Sequence, residues 1–110
     1  MKEIRDALRA FNDERDWEPF HTPENLAKSI SIEAAELLEC FQWDSSFDRE
    51  ALSDEIADVM MYCIMLADKI GVDMKEEIFR KIKKNAEIDG ESYYFNDSCE
   101  MVKGWITIDK

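Results

Sequence analysis

Glycine and proline are scarce, with 3 Gly and 2 Pro in 110 residues. So few chain breakers speak against a turn-rich β architecture, and the abundance of Glu, Lys, Ala, Leu, Met and Ile favours long helices. An all-α fold is therefore expected. Histidine occurs once, at His21, which argues against carboxylate-bridged di-iron chemistry, because that normally needs a Glu-x-x-His motif on each of two helices. The cysteines, Cys40, Cys63 and Cys99, are odd in number and widely spaced, so no disulfide framework is expected and a reducing cytoplasm is the natural compartment. No apolar run approaches the roughly 18 residues of a membrane span. The segment from Met1 to Ala10 is charged and amphipathic rather than built like a signal peptide. A Gly-rich phosphate loop is absent, as is a Ser-His-Asp or Cys-His nucleophile set. Positive charge is also short: 14 basic residues stand against 26 acidic ones, a net charge of -12. Such a field repels nucleic acids and anionic lipid surfaces, so neither is an expected partner. It still admits a phosphate ligand if the acids recruit a divalent cation that presents a positive face to it.

What the chain does have is helical periodicity. Ile4, Leu8 and Phe11 recur at helical spacing over about residues 2–15. After a break at 16–21, Thr22-Pro23-Glu24 supplies an N-cap, a first-turn proline and a first-turn acid, and a second helix is expected to run to about Gln42. Trp43-Asp44-Ser45-Ser46 ends it. A third helix, about Arg49 to Ile70, is the most apolar and so the central one, with Gly71 placed to terminate it. A fourth, about Met74 to Glu87, turns Met74, Ile78 and Ile82 inward, and Asp89-Gly90 stops it. Beyond Gly90 the pattern changes: Tyr93-Tyr94-Phe95 and Trp105-Ile106-Thr107-Ile108 read as extended. These observations predict one helical domain over 1–90 and a short irregular or extended tail, 91–110, that is not a separate domain.

The chemistry lies in four carboxylates. Glu33 and Glu36 stand three apart on the second helix, and Glu55 and Asp58 three apart on the third, so each pair shares a helical face. With the two helices antiparallel about the short 43–48 connection, Glu36 lies about as far before the turn as Glu55 lies after it, and the four groups can form one cluster. Their neighbours are apolar, and no Lys or Arg occurs from Ser29 to Trp43. A solvated charge face would more often interleave basic residues at i+4. Hard divalent cations supply the missing countercharge: Mg²⁺ prefers carboxylate oxygens and keeps waters that can exchange for substrate phosphates, and Mn²⁺ can substitute.

Glu33-x-x-Glu36 followed by Glu55-x-x-Asp58 resembles the signature of the all-α nucleoside triphosphate pyrophosphohydrolases. The stretch Arg15 to Leu26, with Trp17, His21 and Pro23, and the stretch Glu39-Cys40-Phe41-Gln42-Trp43 are similar to the MazG-like, dCTP pyrophosphatase branch of that group. The likeness covers about residues 1–87. It implies a four-helix-bundle-like MazG fold in a homo-oligomer, dimer or tetramer. It also implies Mg²⁺ held by Glu33, Glu36, Glu55 and Asp58, and hydrolysis of a nucleoside triphosphate, dCTP first, to monophosphate and pyrophosphate. By the same resemblance Trp17, His21 and Trp43 would lie near the base, Tyr62 would line the site, and Lys84 and Asn85 would approach the phosphates. After Asn85 the chain departs from its relatives: a Lys or Arg followed by Tyr-Pro is common there, whereas Ala86-Glu87-Ile88-Asp89-Gly90 stands here.

Two other classes use the same composition. A non-catalytic acidic helical module would bind nucleotides or protein helices, and a purely structural helical oligomer would bind nothing. Neither calls for four acids set among apolar residues without basic partners.

Overall fold

The computed structural model describes residues 1–89. Four α-helices make up the fold: α1 (Lys2–Glu14), α2 (Pro23–Glu39), α3 (Arg49–Ile70) and α4 (Met74–Asp89), with a short 3-10 turn at Glu18–Phe20 between α1 and α2. No strand occurs among the described residues. The chain divides into two compact units, Met1–Met74 and Lys75–Lys110. The first contains α1, α2 and α3; the described part of the second is α4. The tail expected to be extended, 91–110, lies outside the described residues, as does Gly90.

Local chemistry sets each boundary. The Thr22 side chain accepts from the Asn25 backbone N–H at 3.2 Å, and Pro23 follows in the first turn, where a missing N–H costs nothing. Asp48 caps α3 in the same way, accepting from the Ala51 N–H at 2.8 Å. At its other end Gly71 adopts φ 79°, and its N–H returns to the Asp68 carbonyl. Glycine suits this left-handed position because it has no Cβ to clash with the backbone.

α2 is three residues shorter than its periodicity predicts. The N–H groups of Cys40, Phe41 and Gln42 bond to the carbonyls of Leu37, Leu38 and Glu39, three residues back rather than four. The helix therefore tightens into a 3-10-like end before the chain turns. α1 closes similarly: Arg15 and Asp16 bond to carbonyls three back, and Trp17 N–H reaches the Asn12 carbonyl at 3.0 Å across Asp16, whose φ is 55°. Aspartate is among the few non-glycine residues that visit this region.

α2 and α3 pack along one another, and α1 packs on α3. Their meeting point is a small core of Leu8, Leu26, Ile64 and Ala67, to which α1 also contributes Asn12, 8 % exposed. Much apolar surface stays outside it, including Ile32, Leu38, Trp43, Phe47, Ile56 and Met60. No helix among the described residues is long and apolar enough to cross a membrane.

Candidate functional site

The packing of α2 on α3 brings the acids together. One carboxylate oxygen from each of Glu33, Glu55 and Asp58 lies within 4.8 Å of the others. Glu36 stays outside this tight set and is exposed, yet it remains near enough to act on its neighbours. The Glu33 carboxyl is pushed above its ordinary pKa by desolvation and then by the charges of Glu36, Asp58 and Glu55. Glu55 is raised likewise, by desolvation first and by Glu36 and Asp58 next. No Lys or Arg among the described residues forms an ion pair with any of the four. Glu55 Oε1 is buried and has no hydrogen-bond partner among the described residues.

These groups suit a hard divalent cation. They supply oxygen donors only, from two rigid helices, and they carry negative charge that no basic side chain among the described residues pairs with. A buried carboxylate oxygen without a donor is costly by itself, and a cation would remove that cost.

Tyr62 stands one helical turn past Asp58. Its phenol is half-buried and raised in pKa by burial and then by Glu33, Asp58 and Glu36, so it adjoins the cluster as a protonated hydroxyl.

The aromatic residues separate. The Trp17 and His21 rings lie 6.3 Å apart, edge to face, and Trp17 also meets Phe11 at 5.7 Å. The Arg15 guanidinium sits 3.6 Å from the Phe11 ring centroid and 5.8 Å from that of Trp17. Trp17 and His21 precede α2, whereas Trp43 follows it, and a helix of 17 residues spans about 25 Å. Trp43 is 87 % exposed. Within one chain, then, Trp43 stands at the opposite end of α2 from the other two. Lys84 and Asn85 lie on α4, both exposed, in the second unit.

A cavity of about 290 Å³ opens beyond the acids, between α1, the 3-10 turn and the far halves of α2 and α3. Leu8, Asn12, His21, Leu26 and Met65 are among its walls. The contribution of α1 was not among the sequence expectations. Asn12 stands four residues after Leu8, so a polar side chain occupies the buried stripe of an amphipathic helix; that irregularity is the signal the sequence offers.

The chain matches known proteins along most of its length. A dCTP pyrophosphatase 1 of Mus musculus is 35% identical over 97 residues, covering 79% of this chain and 57% of the relative. Its Homo sapiens counterpart is 36% identical over 95 residues, covering 77% and 56%. The chain thus spans a little over half the length of these curated relatives. A crystal structure of a pyrophosphatase from Archaeoglobus fulgidus DSM 4304 superposes with a TM-score of 0.72 at 46% identity, covering 79% of this chain and 89% of that one. The MazG-like family matches residues 28–96, a segment that contains α2, α3 and all four acids. Helices in this order, with paired carboxylates converging from α2 and α3, make the assignment structural as well as sequential: this chain belongs to the MazG-like family.

Proposed function

We propose that this chain is a Mg²⁺-dependent nucleoside triphosphate pyrophosphohydrolase, hydrolysing a (deoxy)nucleotide between its α- and β-phosphates to monophosphate and pyrophosphate. The observation that carries the reading is the convergence of Glu33, Glu55 and Asp58 within 4.8 Å, without a basic partner among the described residues. The pyrophosphatase from Archaeoglobus fulgidus, at 46% identity, and the dCTP pyrophosphatases support the same class.

In this proposal Glu33, Glu55 and Asp58 hold the cations, with Glu36 completing the set from the exposed side. Mg²⁺, or Mn²⁺ in its place, would neutralise the triphosphate and polarise the bond to be broken. A carboxylate of the cluster orients the attacking water. The Tyr62 hydroxyl, protonated beside the acids, offers a donor to a phosphate or sugar oxygen. Trp17 and His21 flank the base. Residues 1–90 form the catalytic domain, with 91–110 an appended tail, and the protein works in the cytoplasm as a homo-oligomer. By likeness to the dCTP pyrophosphatases, dCTP is the first substrate to try.

The test is a panel of ribo- and deoxyribonucleoside triphosphates with Mg²⁺, quantifying monophosphate and pyrophosphate. Expected is equimolar release of the two, led by dCTP and abolished by EDTA. Release of orthophosphate instead, or turnover that survives EDTA, would refute the reading.

A further inference from the structure

The segment between α1 and α2 carries Trp17 and His21, yet it has little structure of its own to hold it. Residues 15–22 contain one 3-10 turn, Glu18–Phe20, and so short a turn is weakly stable by itself. Its placement depends on what grips it from outside. Trp17 N–H donates to the Asn12 carbonyl of α1 at 3.0 Å, and the Asn25 side chain of α2 donates to the Phe20 carbonyl at 2.9 Å. A third grip comes from α3, where Lys69 Nζ donates to Glu18 Oε2 across 51 positions of sequence.

Two consecutive residues near the end of α3 thus tie down two different segments. Asp68 binds Arg9 of α1 through two bonds, 2.8 and 2.6 Å long, and Lys69 binds Glu18 of the turn. All four side chains line the cavity, as does His21. A lysine in the last turn of a helix is favoured by the helix dipole whatever it touches, so its presence alone assigns no role. Its partner on another segment does.

Stability is not the role that fits. The Glu18 side chain is 61 % exposed and that of Lys69 27 %, and ion pairs so open to water contribute little to folding. Position is another matter. The His21 N–H bonds to the Glu18 carbonyl at 3.1 Å, the Phe20 N–H bonds to the Trp17 carbonyl at 2.9 Å, and the Trp17 and His21 rings meet edge to face. Whatever fixes Glu18 therefore fixes both rings. Lys69 itself stands eleven residues after Asp58 on α3, about 16 Å along the axis, which puts the acidic cluster beyond the reach of its side chain.

We propose that Lys69 is a positioning residue: through its ion pair with Glu18 it fixes the turn that carries Trp17 and His21, and so sets how tightly the nucleotide is held without taking part in its hydrolysis. This rests on the nucleotide-hydrolase reading above, in which those two rings flank the base.

The test uses Lys69→Met, which keeps the stem and removes the charge, Lys69→Arg, which keeps the pair, Glu18→Ala, and the double variant Glu18→Ala with Lys69→Met. Steady-state hydrolysis of dCTP with Mg²⁺ is one readout. The other is the ring-proton NMR signals of His21, the chain's one histidine, recorded without substrate. Lys69→Met and Glu18→Ala are each expected to raise KM about 5- to 10-fold with kcat within about twofold, and the double variant to be no worse than either. Lys69→Arg should stay close to wild type. The His21 signals should move in the Met and Ala variants and hold their place in the Arg variant, while melting temperatures change little. A Glu18→Ala chain with the wild-type KM beside a raised KM in Lys69→Met would mean that Lys69 meets the substrate directly, and would overturn the proposal. So would unmoved His21 signals, or a loss carried by kcat. Failure of the hydrolase reading looks different: no triphosphate yields pyrophosphate, and the His21 signals, which need no turnover, still decide whether Lys69 positions the turn.

Discussion

At the residue scale the decisive feature is negative charge held without a basic partner among the described residues. Glu33 and Glu55 are raised in pKa by desolvation and by one another's neighbours, which means that the folded protein holds their protons to higher pH than the unfolded chain does. Raised carboxyl pKa values make folding least costly when the groups are protonated, so this contribution to stability falls as pH climbs through the carboxylate range and above it. A divalent cation reverses the penalty and competes with protons for the same oxygens. Saturating Mg²⁺ is therefore expected to raise the melting temperature more at pH 7.5 than at pH 5, by differential scanning fluorimetry. An equal rise at both would argue against a site built from these acids. Asp58→Asn and Glu55→Gln remove one ligand charge each with little change in volume; each should lower kcat/KM by about 100-fold or more while circular dichroism stays unchanged. The convergence of Glu33, Glu55 and Asp58 was legible in the sequence because their spacing and the lack of nearby Lys or Arg are local properties. The cavity to which α1 contributes was not, since it forms only when α1 lies on α3.

At the scale of the element, caps hold the site in register. Asp48 starts α3 seven residues before Glu55, and Thr22 starts α2 eleven residues before Glu33, so both helices that carry acids are anchored by a side-chain oxygen. Asp48→Ala is expected to cost about 1 kcal/mol in a denaturant titration, as is Thr22→Ala. Gly71→Ala should cost a similar ~1 kcal/mol: nothing lies within 4 Å of an added Cβ, and the loss comes from φ 79° alone. A neutral result would mean that the end of α3 can unwind by a turn without cost. Helix ends were the least legible elements. Arg49 to Ile70 followed directly from Asp48, Gly71 and the apolar pattern, whereas the final turn of α2 depended on whether Cys40, Phe41 and Gln42 would bond three or four residues back. Propensity is the same for both, and the turn into 43–48 decides it.

For the whole molecule the question is what covers the apolar surface. Only Leu8, Leu26, Ile64 and Ala67 are buried hydrophobics among the described residues, a small core for three helices. Leu38 is 71 % exposed and Trp43 87 %, and both lie at the end of the unit where α2 turns into α3. Large aromatic and aliphatic groups left in water in this way call for a partner surface, and a second copy of the chain is the simplest one. A partner also resolves the geometry of the tryptophans. Trp43 stands one α2 length from Trp17 and His21, so it can reach a base seated near those two only if it comes from another subunit. Light scattering is expected to give a dimer or tetramer, and Leu38→Glu to shift it towards monomer. Mixing two inactive proteins carries the idea further. An Asp58→Asn chain lacks one acid of its own cluster but keeps Trp43, and a Trp43→Ala chain has the reverse defect; subunits exchanged between them should regain part of the turnover that each has lost alone. Recovery would place an intact cluster and an intact tryptophan in one composite site. No recovery, with subunit exchange confirmed by mass, would confine each site to a single chain and leave Trp43 to the interface only.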